Sequence, residues 1–299
     1  MLVSSNRFPP VIKWSGSKRS VANILSRYIP KGNRYFEPFL GGGALLPFRK
    51  IKIGFASDVI PELISLWNMI KADPRKVSFE YRKRWEKLQA EGFEVFYSIR
   101  DHFNSTKNEH DFLFLTRTCV NGLIRYNNQG EFNNSFHITR PGINPHKLDD
   151  IIYQWHYVIK DIEFHNCDYR ELLAKAKEDD FIFFDPPYGG TKDRYTREKF
   201  DIDAFFIELE KLNDKGVKWI LTFDGKAGDR NYIYELPINL YTHKTFVKTG
   251  HSPFTKMMNT TLDNINESVY LNFNPSDEIS AKVADDVSKE STLFTAVNM

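Results

Sequence analysis

Apolar positions along the first 70 residues fall into short runs broken by glycine and proline, and these runs predict alternating strands and helices. A helix is expected after Ser17, and a short strand at Tyr35-Phe36 leads into a glycine turn at Gly41-Gly42-Gly43. A second strand follows over residues 53–57, then a helix over 61–70. That order is typical of parallel sheets. The alternation resumes near residue 159, with strands over 162–164, 181–184 and 217–223 and helices over 169–176 and 203–213. The run Phe181-Ile182-Phe183-Phe184 is apolar at every position, as a fully buried strand is. Residues 241–247 and 268–273 read as two more strands forming an antiparallel edge pair. The expected fold class is α/β, with a mostly parallel sheet.

Between these halves the texture changes. Residues 75–120 are charged and aromatic at helical spacing (FEYRKRWEKLQ, FEVFYSIRDHF), and residues 121–147, rich in Asn, Gly and Arg, read as a hairpin or loop. The length suits an inserted, mainly helical subdomain. The expected division is one domain from 1–71 and 159–274, an insert over 72–158, and a polar, aperiodic, flexible tail over 275–299.

Composition narrows the function classes. Of 299 residues 41% are hydrophobic, enough for a sizeable core. No apolar run reaches the ~18 residues of a membrane span, and MLVSSNRFPPVIKW lacks the apolar core of a secretory signal. Cys119 and Cys167 are the two cysteines, which fits a reduced, cytoplasmic setting. Five of the eight histidines (102, 110, 137, 146 and 156) fall in the insert at spacings matching no zinc site, so no metal is expected. Net charge is +2, but the tail carries −3 and the remainder +5, so a nucleic-acid partner must be argued from local clusters.

The chemistry gathers at strand ends. In Phe36-Glu37-Pro38-Phe39-Leu40-Gly41-Gly42-Gly43 an acid precedes three glycines, which permit a tight turn and close ligand approach. A helix expected after the turn would offer its N-terminus to a carboxylate group. Glu37 would repel a pyrophosphate and suits an amine, and the turn does not fit G-x-G-x-x-G. Asp58 ends the next strand, where an acid can hold ribose hydroxyls, and Asp168 with Tyr169 follows a third, placed for the edge and face of an adenine. Each acid would serve equally well as a helix N-cap. Asp185-Pro186-Pro187-Tyr188 ends the buried strand abruptly, because proline lacks an N–H and cannot continue a ladder. The Asp185 carboxylate and the Pro186 carbonyl can face one amino group as two acceptors, and Tyr188 can stack on a flat heterocycle. A rigid turn with a capping Asp is the plainer reading of the triplet alone.

DPPY after a buried strand, with FEPFLGGG upstream, resembles the amino-group DNA methyltransferases that use S-adenosylmethionine. Lys13-Trp14-Ser15-Gly16-Ser17-Lys18-Arg19 is similar to the K-W-x-G-x-K-R opening of the Dam-like adenine methylases. Asn121-Gly122-Leu123-Ile124-Arg125-Tyr126-Asn127 with Gly130-Glu131-Phe132-Asn133 resembles the N-G-L-x-R-Y-N…G-x-F-N signature of their recognition region. The resemblance spans residues 11–273 and implies a Rossmann-like fold, S-adenosylmethionine as cofactor and double-stranded DNA as partner. It implies a catalytic set of Asp185, Pro186, Pro187 and Tyr188. Trp14, Lys18, Glu37, Pro38 and Gly41 would enclose the methionine part of the cofactor, Asp58 its ribose, and Asp168 with Tyr169 its adenine. Asp185 would border both cofactor and target base.

On the DNA side it points to Asn121, Arg125, Asn127 and Asn133. Arg125 is expected to read a guanine edge or, alternatively, to pair with phosphate. Residues 239–262 hold no acid, and Lys248 and Lys256 there suit backbone contacts. The implied activity is adenine-N6 methylation of a specific site by base flipping, as the modification partner of a restriction endonuclease. Methylation of another amino group and a non-catalytic DNA-binding regulator are the alternatives. The chain departs from the GATC-reading pattern at Val120, where Tyr is usual, and at Asn134-Ser135-Phe136, where V-P-F is usual.

Overall fold

The computed structural model describes residues 8–187, 200–227, 230–231, 236–249 and 265–275. In chain order the elements are α1 (Ala22–Leu25), β1 (Tyr35–Glu37), β2 (Gly54–Asp58), α2 (Pro61–Ala72), α3 (Pro74–Glu91), α4 (Glu94–Thr106), α5 (Glu109–Thr118) and α6 (Pro145–Ile159). They continue with β3 (Ile162–Asn166), α7 (Tyr169–Leu173), β4 (Phe181–Phe184), α8 (Ile202–Asp214), β5 (Lys218–Ala227), β6 (Arg230–Asn231), β7 (His243–Thr249) and β8 (Ile265–Leu271). One sheet runs in the order β3-β2-β1-β4-β5-β8-β7, with β6 paired to β5. The strands from β3 to β5 are mutually parallel. β8 lies antiparallel between β5 and β7, which makes the expected edge pair. The fold is the α/β, mostly parallel sheet that the hydrophobic pattern predicts.

Alternation along the strands divides the core. Tyr35, Phe181 and Phe183 face one apolar cluster, whereas Phe36, Ile182 and Phe184 face the other, packed with Phe205 and Leu209 of α8. The first cluster extends without a break into the inserted helices. Trp67 of α2 lies 4.8 Å from the Trp155 ring of α6 and stacks 5.9 Å from Phe164 of β3. Phe114 of α5 and Leu148 of α6 belong to the same cluster as Tyr35 and Ala56 of the sheet. The inserted helices therefore share the core of the sheet.

Local signals account for the helix ends. Asp73, Asn108 and Asn144 each accept a backbone N–H as N-caps of α3, α5 and α6, with proline in the first turn of α3 and α6. Between α5 and α6 the chain is irregular, with antiparallel bridges at Cys119–Phe136 and Tyr126–Phe132, the loop expected there. The helix expected after Ser17 is shorter than the pattern suggests. It is a 3-10 turn at Lys18–Ser20 leading into the single turn of α1, and Ser17 makes no side-chain cap.

From β1 the chain builds β2 and β3 on one side, then crosses to place β4 and β5 on the other. The β1–β4 pair is thus the switch point, where open α/β sheets form a crevice at the carboxyl ends of their strands.

Because one core serves sheet and insert, Trp155→Ala is expected to destabilise the protein by about 3–5 kcal/mol. Denaturant unfolding followed by fluorescence and circular dichroism should remain a single transition. Two separate transitions would mean that the insert folds on its own.

Candidate active site

Glu37 ends β1, and Asp185 follows the last residue of the adjacent β4, so two carboxylates meet at the switch point. Glu37 is 2% exposed, and Tyr35 Oη donates to its Oε2 at 2.8 Å. Burial pushes its pKa up to about 8; the Tyr35 hydrogen bond opposes that rise and the Asp185 charge adds to it. Asp185 is 20% exposed, and Lys18 Nζ lies 2.6 Å from its Oδ1. Thr222 Oγ1 of β5 donates to the same oxygen at 3.0 Å. Burial raises the Asp185 pKa to about 6 against the pull of Lys18, with Glu267 adding to the rise.

Lys18 is 4% exposed and is held by a second carboxylate, Glu267 Oε1 of β8, at 2.9 Å, and by the Gly16 carbonyl at 3.3 Å. Arg49 acts electrostatically on Glu37, but its hydrogen bonds go to the carbonyls of Leu46 and Val158. Two buried or half-buried carboxylates, Asp185 and Glu267, thus share the Lys18 ammonium, leaving an excess of negative charge in the crevice, with the raised Glu37 carboxyl beside them.

The glycine turn forms a wall beside this cluster. Gly41 has φ +46°, and a Cβ placed on it would lie 2.5 Å from Trp14 Nε1, so only glycine lets the indole lie against the backbone. Gly41 N–H donates to Asp58 Oδ2 at 3.0 Å, and Trp67 Nε1–H donates to the Gly41 carbonyl at 3.2 Å. The buried Pro38 accepts from Ser57 Oγ at 3.3 Å. The helix expected after the glycines is only a three-residue 3-10 turn, Leu46–Phe48. It has no aligned turns to sum into a dipole, so the expected anion site at its N-terminus is not formed.

The other strand-end acids hold local structure. Asp58 Oδ1 also accepts from Ile60 N–H at 3.2 Å, at the entry to α2. Asp168 is the N-cap of α7 in a capping box with Glu171, and its Oδ1 accepts from Arg170 N and Nε at 2.9 and 2.7 Å. The Tyr169 ring is buried against Phe39 and Phe205 at 5.2 and 5.8 Å. Pro186 is buried and Pro187 half-buried just beyond β4. Tyr188 and Lys256 lie outside the described residues, and for Lys248 only the backbone, in β7, is described.

The irregular segment of the insert approaches from the other side. Arg125 is exposed, and its Nε donates to Asn133 Oδ1 at 3.1 Å. Asn121 is exposed at φ +57°. Asn127 shapes a turn, accepting from Gln129 and Glu131 N–H groups and donating to the Glu131 carboxylate. Asn134 Nδ2 donates to the carbonyls of Val120 and Leu123 at 2.9 and 2.8 Å, closing the N-G-L turn. Gly122 lies against Lys13, since a Cβ there would fall 2.5 Å from Lys13 Cβ, and Tyr126 Oη donates to Glu62 of α2. The opening segment and the insert therefore meet next to the crevice.

Thr222 and Glu267 escaped the sequence reading. Glu267 left a signal, because alternation puts it on the same strand face as the core residues Val269 and Leu271, an inward position unusual for an acid. Among the described residues no cluster of His, Cys, Asp or Glu could hold a metal ion, and no helix is long and apolar enough to cross a membrane.

The sequence pattern of the family described as D12 class N6 adenine-specific DNA methyltransferase matches residues 14–247, most of the chain and every described part of this crevice except β8. The chain belongs to that family. It is similar to Type II methyltransferase M.MjaIII of Methanocaldococcus jannaschii, 30% identical over 249 residues covering 71% of this chain and 83% of that protein. DNA adenine methylase of Escherichia coli K12 is 28% identical over 206 residues, 67% of this chain and 72% of that protein. DNA adenine methylase of Vibrio cholerae is 30% identical over 181 residues, 59% of this chain and 64% of that protein. In this adenine-specific methyltransferase the DPP segment and the glycine turn stand together at the switch point.

The raised Glu37 pKa has a consequence for the ligand-free methyltransferase. The folded state binds this proton more tightly than the unfolded chain, so the contribution is intact below the ordinary value of 4.5 and is lost as pH rises through about 8. Glu37→Gln is expected to gain stability relative to wild type between about pH 5 and 8 and to level off above. Urea unfolding across that range measures it, and a pH-independent difference would contradict the assignment.

Proposed function

We propose that the protein transfers a methyl group from S-adenosylmethionine to N6 of an adenine within a specific double-stranded DNA site, acting on a base turned out of the duplex. The observation that carries this is the negative excess around Lys18, where Asp185 and Glu267 outnumber the ammonium that they share, with the buried, raised Glu37 carboxyl beside Asp185. Such a crevice suits a ligand bearing an amine and a second positive centre, and a buried carboxylate with a raised pKa gains most from one. When bound, S-adenosylmethionine supplies a methyl group made electrophilic by its sulfonium. Glu37 would take the α-amino group, with Trp14, Lys18, Pro38 and Gly41 around the methionine part and Asp185 at its border. Asp58 at the end of β2 would take the ribose, and the Asp168–Tyr169 segment at the end of β3 the adenine of the cofactor.

Asp185 and the Pro186 carbonyl would accept the two N–H groups of the target base, with Tyr188 stacked on its ring. An adenine N6 lone pair is delocalised into the ring and is a poor nucleophile. Two acceptors draw it toward tetrahedral geometry and stabilise the positive charge that develops there. The nitrogen gains a methyl group and loses one proton, for which Asp185 is an acceptor. Proximity supplies the rest, and extrusion of the base costs a few kcal/mol.

For DNA recognition, Asn133 engages Nε of Arg125 and leaves its outer guanidinium edge for guanine O6 and N7. Asn121 would contact a base or phosphate, Asn127 would shape the reading loop, and Lys248 and Lys256 would meet the phosphate backbone. Asn134 closes the N-G-L turn, and since Val120 and Asn134-Ser135 depart from the GATC-reading pattern, a different or asymmetric adenine-containing site fits as well as GATC. A cytoplasmic role paired with a restriction endonuclease goes with this reading, and the Methanocaldococcus relative carries the name Type II methyltransferase.

Incubation with tritiated cofactor and plasmid DNA, followed by sequencing of methylated positions, is expected to show label on adenine within one motif. Asp185→Ala should lower transfer by about 100- to 1,000-fold or more while largely sparing cofactor binding. A folded, cofactor-binding protein that leaves DNA unlabelled would overturn the reading.

A further inference from the structure

β8 enters the sheet between β5 and β7, and its register against β5 slips beside the crevice. Phe223 pairs with Ser268, but Glu267 pairs with Gly225, so residue 224 is an extra residue on the β5 side. Such a bulge bends a strand and re-aims side chains. Glu267, 3% exposed, reaches Lys18 Nζ at 2.9 Å, and the same ammonium lies 2.6 Å from Asp185 Oδ1. Thr222, on β5 just before the bulge, donates to that same Asp185 oxygen.

We infer that Glu267 is a positioning residue for methyl transfer. By pinning the Lys18 ammonium between two carboxylates, it keeps lysine and Thr222 on Asp185 Oδ1 and leaves Oδ2 to accept the substrate N–H. The inference rests on the methyl-transfer reading above. A lysine stem is flexible, and one carboxylate alone would let the ammonium slide between the oxygens of Asp185 or swing toward the amine subsite. A second carboxylate on a different strand fixes its direction. It also draws part of the ammonium's field away from Asp185, keeping that group a strong acceptor. Among the described residues, the groups that face Asp185 are Lys18 from the N-terminal segment, Glu267 from β8, Thr222 from β5 and Glu37 from β1, with Tyr35 and Arg49 behind Glu37.

The two neighbours must move Asp185 in opposite directions. Carbon-13 carboxyl titration of aspartate-labelled protein, with the Asp185 signal assigned by Asp185→Asn, reads this without DNA or cofactor. Glu267→Gln should lower the Asp185 midpoint by roughly one pH unit and Lys18→Met should raise it by a similar amount. With saturating cofactor and DNA, the acid limb of kcat should shift in the same directions. At pH 8, kcat of Glu267→Gln should fall about tenfold with KM for DNA nearly unchanged. Glu267→Asp, which keeps the charge but shortens the reach, should also lower kcat and serves if the glutamine variant does not fold. A midpoint unmoved in Glu267→Gln, or a moved midpoint with a wild-type limb and kcat, would overturn the inference. If wild-type protein labels no adenine, the methyl-transfer reading falls with its positioning role, and the titration still decides whether Glu267 tunes Asp185.

Discussion

A lysine ammonium closed off from water between Asp185 and Glu267 is the contact on which the crevice depends. Removing one partner from such a group leaves an uncompensated buried charge, at a cost of about 3–5 kcal/mol. The contact joins three stretches far apart in sequence, namely the opening segment, the loop after β4 and the antiparallel strand β8. Glu37 stands beside it with a proton held by burial and by the negative charge of Asp185. The cluster is therefore short of positive charge, and an incoming cation meets carboxylates that have already been desolvated. Preorganised groups of this kind act more strongly than they would in water, because no solvent must be rearranged when charge arrives.

The rest of the fold serves to hold these groups. Parallel strands bring Glu37 and Asp185 to the same edge, and the two prolines stop β4 where its carboxylate is needed. Alternation along β8 puts Glu267 on the face of Val269 and Leu271, beside the bulge in β5. The glycine turn is held by Asp58 and Trp67 and carries the Trp14 indole. Through Trp67 and Trp155 that same core runs into the inserted helices, and Lys13 with Gly122 and Tyr126 with Glu62 tie the reading loop to the crevice. Displacement of the insert by DNA would act on the segment that carries Lys18.

Much of this was legible in the sequence, for identifiable reasons. The run FIFF followed by DPP encodes a buried strand and its stop in local chemistry, and the helices of the insert carry their own caps at Asp73, Asn108 and Asn144. Glycine runs were less informative. Gly41 and Gly43 adopt positive φ as a tight turn requires, yet the residues after them form only a 3-10 turn. Asp168 shows why a strand-end acid is ambiguous, because the same residue type caps a helix and binds a ligand. Glu267 shows an inward position by alternation, but its partner lies some 250 residues away, so no local pattern tells which group it meets.

Isothermal calorimetry of S-adenosylmethionine binding at pH 7, in buffers of different ionisation enthalpy, tests most directly the claim that the buried acids form a receptor for a cation. A Glu37 that is mostly protonated in the free protein must ionise to meet the amine. Binding should then release roughly one proton, and the release should fade near pH 9 and vanish in Glu37→Gln. Binding with no buffer dependence, with proton uptake, or with equal affinity in Glu37→Gln would contradict the account.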